Sequence, residues 1–247
     1  MSVALTTHLV SLSTPRPYSA ATEHAFLTAA GTGVLSSALL SLYLSQDRIY
    51  AAHAYPRFLG HLLTHVPYSS LHAPDSREER FNSEVVGVLS DALVNVRREV
   101  GLFGEVERKY ALPSFAEWKE RKGTRDYTAE MARIGALGSF EDGLVFLWAM
   151  ERVYLDAWKY VKSLVVQGEV QGEQSTVFST VEELVKNWTS PEFEKFVDTL
   201  ADLVNRLDIP WGSAAFIQAE EMWARVVELE AAFWPVGGEE LSSVLVS

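Results

Sequence analysis

The sequence predicts an all-helical bundle, and three observations carry that prediction. Apolar residues recur three, four and seven positions apart along most of the chain, the spacing that lines one face of a helix. Alternating β-branched runs between turn clusters, the mark of strands, are nearly absent. The starts of the periodic segments carry capping residues. With 247 residues and 48% hydrophobic content there is material for one sizeable core. We expect a single helical domain over 1–247, with its core at about 20–235 and with 1–18 and 236–247 peripheral.

The first helices are expected at about 20–30 and 36–65. Residues 25–46 carry no charge over about the length of a membrane span, but their Ser, Thr and central Gly31-Thr32-Gly33 read as a break between two buried helices. A Pro67–Pro74 loop leads to a helix over 77–109, then others at 114–122 and 125–137. The helix over 140–166 opens on Ser139 and Asp142 at capping-box spacing. A Gly- and Gln-containing loop at 167–174 precedes a helix at 179–188, where Thr180 and Glu183 repeat that spacing. Ser190 followed by Pro191 starts a helix over 191–207, and a last one runs over 213–234. Beyond Pro235 the tail is expected to leave the core.

Composition removes several function classes. A formal net charge of −12 opposes binding to phosphate backbones. Arg97-Arg98 and the 119–122 cluster, Lys119-Glu120-Arg121-Lys122, read as solvated helix faces among acids. The absence of cysteine excludes disulfides, thiolate metal sites and cysteine nucleophiles. No charged segment followed by an apolar run opens the chain, so we expect no secretory signal and a cytoplasmic protein. His61 and His65 are four apart but lack the acid of a metal-binding helix motif, and His24 is a poor haem-ligand candidate, so no metal site is expected. Gly31-Thr32-Gly33 lacks the third glycine of a dinucleotide fingerprint.

The informative residues are acids on apolar faces. Asp47 shares its stripe with Leu40, Tyr43, Leu44, Tyr50 and Ala51, while Ser41, Ser45 and Arg48 mark the other side. Glu151 lies with Leu144, Leu147, Trp148, Tyr154 and Trp158, and Glu230 with Phe216, Trp223, Val226, Val227 and Phe233. Each acid has an aromatic residue three positions later: Tyr50, Tyr154 and Phe233. An unpaired buried carboxylate costs several kcal/mol, so each needs a partner or a raised pKa. Such acids can be core residues hydrogen-bonded to tyrosines. Their recurrence on three helices favours a cavity for something cationic or amidine-like. Stacking rings and a carboxylate suit an aminopyrimidine edge. Two further carboxylates could move protons in a hydrolysis, provided their pKa values are held apart.

The segments Tyr43-Leu44-Ser45-Gln46-Asp47-Arg48-Ile49-Tyr50 and Leu229-Glu230-Ala231-Ala232-Phe233-Trp234 resemble the TenA family, also called thiaminase II. The resemblance spans about residues 20–235. Its motifs are Gln-Asp-x-x-Tyr and Glu-x-x-Phe-Trp, with Tyr127 and Tyr154 spaced between them. It implies a heme-oxygenase-like helical bundle without heme or other cofactor, and a pocket for the pyrimidine half of thiamin or its breakdown products. The activity it implies is hydrolysis of an aminomethylpyrimidine to the hydroxymethylpyrimidine, for thiamin salvage. By the matching motifs, Asp47 would hold the amidine edge and Tyr50 and Phe233 would pack on the ring. Tyr127 and Tyr154 would be active-site tyrosines, and Glu230 the acid/base carboxylate.

Bacterial-type members carry a nucleophilic cysteine four residues before the position of Tyr154, where this chain has Met150. The sequence resembles instead the cysteine-lacking branch, in which a glutamate of this helix takes part and N-formyl substrates are also associated. Glu151 is the candidate, one position on and about 100° round the helix. Trp188 stands where the cysteine branch tends to have a tyrosine. Relatives are commonly oligomeric, so a homo-oligomer, dimer or tetramer, is implied. The alternative is a pyrimidine-binding or regulatory relative that keeps the pocket without turnover. Loss of the carboxylates would mark it, and Asp47, Glu151 and Glu230 all remain.

Overall fold

The computed structural model describes residues 3–167 and 176–245. Eleven α-helices lie within the described residues. They are α1 (Leu5–Val10), α2 (Ser19–Thr22), α3 (Ala25–Gly31), α4 (Ser37–Ile49), α5 (Tyr55–His65), α6 (Arg77–Lys109), α7 (Lys122–Leu137), α8 (Phe140–Gln167), α9 (Thr176–Trp188), α10 (Pro191–Asn205) and α11 (Ala214–Phe233). A π-helical turn, Tyr50–Ala54, joins α4 to α5, and short 3-10 turns lie at Phe115–Glu117 and Glu239–Leu241. The all-α bundle expected from the sequence is the observed fold.

The apolar runs explain the arrangement. Every residue from Leu144 to Met150 is buried, which makes α8 the central spine, packed against α3, α10 and α11. Its start is a reciprocal capping box: Asp142 N–H donates to Ser139 Oγ at 3.1 Å, and Ser139 N–H to Asp142 Oδ2 at 3.0 Å. Ser190 caps α10 from before Pro191. No described helix is long and apolar enough to cross a membrane, and the uncharged 25–46 stretch is divided between α3 and α4.

Several expectations need correction. Residues 114–122 do not form a helix; after the 3-10 turn Trp118 pairs with Val244 in an isolated bridge, because Trp118 and its neighbours cover α4. Ser41 and Ser45, assigned to a wet side of that helix, are therefore buried. Ser41 Oγ donates to Pro113 O at 2.6 Å and accepts from Trp118 Nε1 at 2.8 Å. Arg121 is likewise no solvated residue: it bonds the carbonyls of Phe233 and Trp234 and both carboxylate oxygens of Glu239. That contact ties the tail back beside α11. Thr180 does not cap α9, which begins a turn earlier; its hydroxyl donates to Thr176 O at 2.8 Å. Helix α1 was not anticipated, and its Leu9 is fully buried. Most of the expected 167–174 loop lies outside the described residues.

Candidate functional site

Five helices, α4, α7, α8, α9 and α11, and the π turn after α4 bring the candidate residues together. Within the continuous 37–65 stretch, the π turn follows Asp47 and immediately precedes Tyr55 and Pro56. Proline has no N–H for the helical ladder, and single π turns inside α-helices, though rare, occur frequently at functional sites. Asp47, Tyr50, Ala51 and Tyr55 all line one cavity there. From α8 come Met150, Glu151 and Tyr154, from α11 Glu230 and Phe233, and from α7 Tyr127. The first turn of α7 can approach α11 because residue 123 is glycine: a Cβ there would lie 2.2 Å from Ala232 O. This close approach is what puts Tyr127 beside Glu230.

The cavity has a volume of about 660 Å³. All eight residues singled out in the sequence line it: Asp47, Tyr50, Tyr127, Glu151, Tyr154, Trp188, Glu230 and Phe233. Tyr50 meets Tyr127 at 5.2 Å between ring centroids, and Phe233 stands 5.9 Å from each of them. Tyr154 meets Trp188 edge-on at 5.3 Å. Tyr50 donates to the Met150 sulfur at 3.3 Å.

The carboxylates share one pattern. In each, one oxygen accepts from an aromatic side chain and the other accepts no hydrogen bond among the described residues. Asp47 Oδ2 accepts from Tyr154 at 2.9 Å and from Tyr43 at 3.2 Å. Glu230 Oε1 accepts from Tyr127 at 2.7 Å, while its buried Oε2 has no partner. Glu151 Oε1 accepts from Tyr55. A fourth member, Glu99 of α6, was missed; its Oε1 accepts from Trp188 Nε1. The signal for it was weak in sequence, because Glu99 follows Arg97-Arg98 on a helix whose outer face is charged. Tyr43 and Tyr55 were also not singled out as site residues.

Burial dominates the electrostatics. It pushes Asp47, Glu151 and Glu230 each up to about 8, with repulsion among Asp47, Glu99, Glu151 and Glu230 adding to it and the phenol hydrogen bonds opposing it. Burial raises Glu99 as well, against the Trp188 hydrogen bond and Arg98. The two acids expected to divide a proton-transfer task are thus not held apart. Such a site favours any ligand that brings positive charge or several N–H donors. Among the described residues no group of three or more His, Cys, Asp or Glu is arranged to hold a metal ion. His24 instead caps α3, its Nδ1 accepting from Phe26 N–H at 3.1 Å.

Fold and site together describe a helical bundle with an interior carboxylate–aromatic pocket. Residues 15–239 match the TENA/THI-4/PQQC family, and the chain belongs to it. A TenA homologue from Pyrococcus furiosus shares the fold with a TM-score of 0.75 at 19% identity, covering 93% of this chain and 98% of that one. A putative TenA-like thiaminase from Sulfolobus solfataricus gives a TM-score of 0.65 at 16% identity, covering 93% and 91%. A Fusarium pseudograminearum protein named a probable transcription factor is 23% identical, over 83% of this chain and 48% of its own length. The chain spans about half the length of that curated relative.

Proposed function

We propose that this protein hydrolyses an aminopyrimidine breakdown product of thiamin, the aminomethylpyrimidine or its N-formyl form, to the hydroxymethylpyrimidine. The observation that carries this reading is the set of half-satisfied carboxylates in an aromatic-walled cavity. Membership of the TENA/THI-4/PQQC family and the thiaminase name of a structural neighbour agree with it.

Asp47 Oδ1 accepts from the exocyclic amine or a protonated ring nitrogen, and Tyr50 and Phe233 flank the ring. Tyr127, Tyr154 and Trp188 hold the carboxyl groups in place from the cavity wall. Water attacks the exocyclic methylene carbon as the carbon–nitrogen bond breaks. Glu151 takes the proton that water loses, and Glu230 gives one through Oε2 to the departing nitrogen, which leaves as ammonia or formamide. With burial holding both acids near 8, the substrate must separate them. A positive charge bound beside one carboxyl lowers its pKa and leaves the other protonated. No cysteine is needed, which fits Met150 at the position of the family nucleophile. On this reading the protein works in the cytoplasm, without a cofactor, as a dimer or tetramer; light scattering reads the stoichiometry.

Chromatography of reactions with 4-amino-5-aminomethyl-2-methylpyrimidine and its N-formyl derivative provides the test. Wild type should release hydroxymethylpyrimidine, and Glu230→Gln should lose roughly 10²–10⁴-fold in rate. Full turnover by Glu230→Gln would overturn the mechanism. Tight pyrimidine binding with no product would instead support a non-catalytic regulatory protein, the reading that the name of the Fusarium relative suggests.

A further inference from the structure

The cavity is larger than the ring it is proposed to hold. At about 660 Å³ it lies in the middle of the range that encloses drug-sized ligands, and a single substituted pyrimidine leaves much of it empty. The remaining side runs from Trp188 toward α6 and α10, where Glu99, Asn95, Leu102, Phe193 and Phe196 are among the lining residues. Glu99 belongs to none of the motifs used so far. Its Oε1 is fixed by the Trp188 indole N–H, and its Oε2 has no partner among the described residues. Around it stand aromatic rings: Trp188 edge-on to Tyr154 at 5.3 Å, Tyr154 near Phe193 at 6.5 Å, and Phe193 near Phe196 at 6.4 Å. Among the described residues Arg98, exposed and adjacent in sequence, is the only Lys or Arg in the cavity lining, which also holds the exposed acids Asp91, Glu105 and Glu192. The orphaned Oε2 of Glu230 in the same cavity, on a residue only 3% exposed, points independently to a ligand rich in donors.

We propose that Glu99, Trp188, Tyr154 and Phe193 form a second subsite that binds an alkylammonium group carried by the ligand, and that Glu99 determines specificity for it. A substituted ammonium is attracted to the faces of aromatic rings and gains further from a carboxylate beside them. The ligand is then an aminopyrimidine bearing a basic amine beyond its methylene carbon, held at one end by Asp47 and at the other by Glu99. This extends the proposed aminopyrimidine site and rests on that reading for the first end only.

Calorimetric titrations with three probes separate the two. The first is 4-amino-5-hydroxymethyl-2-methylpyrimidine, neutral beyond the ring; the second is the same ring carrying a 2-aminoethylaminomethyl arm; the third is butyltrimethylammonium, which has no ring. The armed pyrimidine should bind at least tenfold tighter than the neutral one. Glu99→Gln should collapse that ratio toward one and weaken butyltrimethylammonium by a similar factor. Trp188→Phe, which keeps a ring but frees Glu99, should give an intermediate ratio. A ratio unaffected by Glu99→Gln, or no advantage for the armed probe, overturns the subsite. If the neutral pyrimidine does not bind while the armed one and butyltrimethylammonium both bind and both depend on Glu99, the aminopyrimidine reading fails and the ammonium subsite stands.

Discussion

Gln46 and Asp47 are neighbours on α4, both buried and both polar, and their surroundings differ in one respect. Gln46 is complete. Its Oε1 accepts from Arg121 N–H at 2.8 Å and Thr124 Oγ1 at 2.8 Å, and its Nε2 donates to Lys119 O at 3.1 Å and Ser45 Oγ at 3.0 Å. Asp47, facing the cavity, has donors among the described residues on Oδ2 alone. A buried polar group whose capacity is filled holds the fold together. One whose capacity is left open at a cavity is kept at a cost to the fold, and a ligand is the natural partner. The same contrast separates the Arg121–Glu239 clasp, in which both carboxylate oxygens have donors, from Glu230, 3% exposed with an oxygen that has no partner among the described residues.

The largest expected effect of this contrast is on stability against pH. Asp47, Glu151 and Glu230 sit near 8 in the folded protein against ordinary values of 3.8 and 4.5. Between those limits the folded state holds protons that the unfolded chain has released, so stability falls as pH rises from about 4.5 to about 8. Each fully protonated group contributes at most about 1.4 kcal/mol per pH unit, and the two fully buried ones, Asp47 and Glu230, should together cost several kcal/mol by pH 8. Groups held low act elsewhere: Glu130, lowered by Arg133, and Glu183, lowered by Lys109, lose their contribution only below about 4.5. Thermal melts from pH 5 to 8 read this directly, and a cationic ligand should flatten the slope. A flat profile without ligand would mean that these acids are ionised and satisfied, and the distinction from Gln46 would fall.

Next in size is the loss of a completed network. Gln46→Ala orphans the Arg121 N–H, the Thr124 hydroxyl and the Lys119 carbonyl, at about 1–3 kcal/mol for each group left without a partner. Allowing for partial rescue by water, about 3 kcal/mol is expected, a fall in Tm of roughly 6–12 °C for a chain of this size. Melting at constant pH checks it. Because no ionisation is involved, the loss should be the same at pH 5 and pH 8.

How much of this was legible in the sequence follows the same line. Helical periodicity and caps such as Ser139–Asp142 and Ser190–Pro191 are local, so the order of the helices was readable. Asp47, Glu151 and Glu230 were readable as acids on apolar faces, and the cavity brings them together. What sequence could not show was created by packing. The wheel placed Ser41 and Ser45 on a wet side because it cannot see that residues 113–121 fold over α4. Arg121 looked like part of a solvated basic run, since its partners, Phe233, Trp234 and Glu239, lie more than a hundred residues away. Glu99 was hidden because its hydrogen-bond partner, Trp188 of α9, lies 89 residues away in the chain. Gly123 carries no signal until Ala232 is known to lie against it.

Asp47→Asn gives the sharpest test of the pair, though its effect is the smallest in energy. The amide keeps the shape of the carboxyl group and can still accept from Tyr43 and Tyr154, but it cannot ionise and cannot give a charge-assisted bond to a pyrimidine edge. Losing that bond should weaken an aminopyrimidine by about 1.5–3 kcal/mol, roughly 10–150-fold in Kd. The fold should respond in the opposite direction to Gln46→Ala. At pH 5 its stability should be close to wild type, and by pH 8 the variant should be the more stable, since the energy spent keeping Asp47 protonated is no longer needed. Titration calorimetry and melts at the two pH values report both quantities on one preparation. If Asp47→Asn lowers stability at both pH values and leaves affinity intact, Asp47 is a core acid satisfied by its tyrosines, and the carboxylate pattern around the cavity loses its first member.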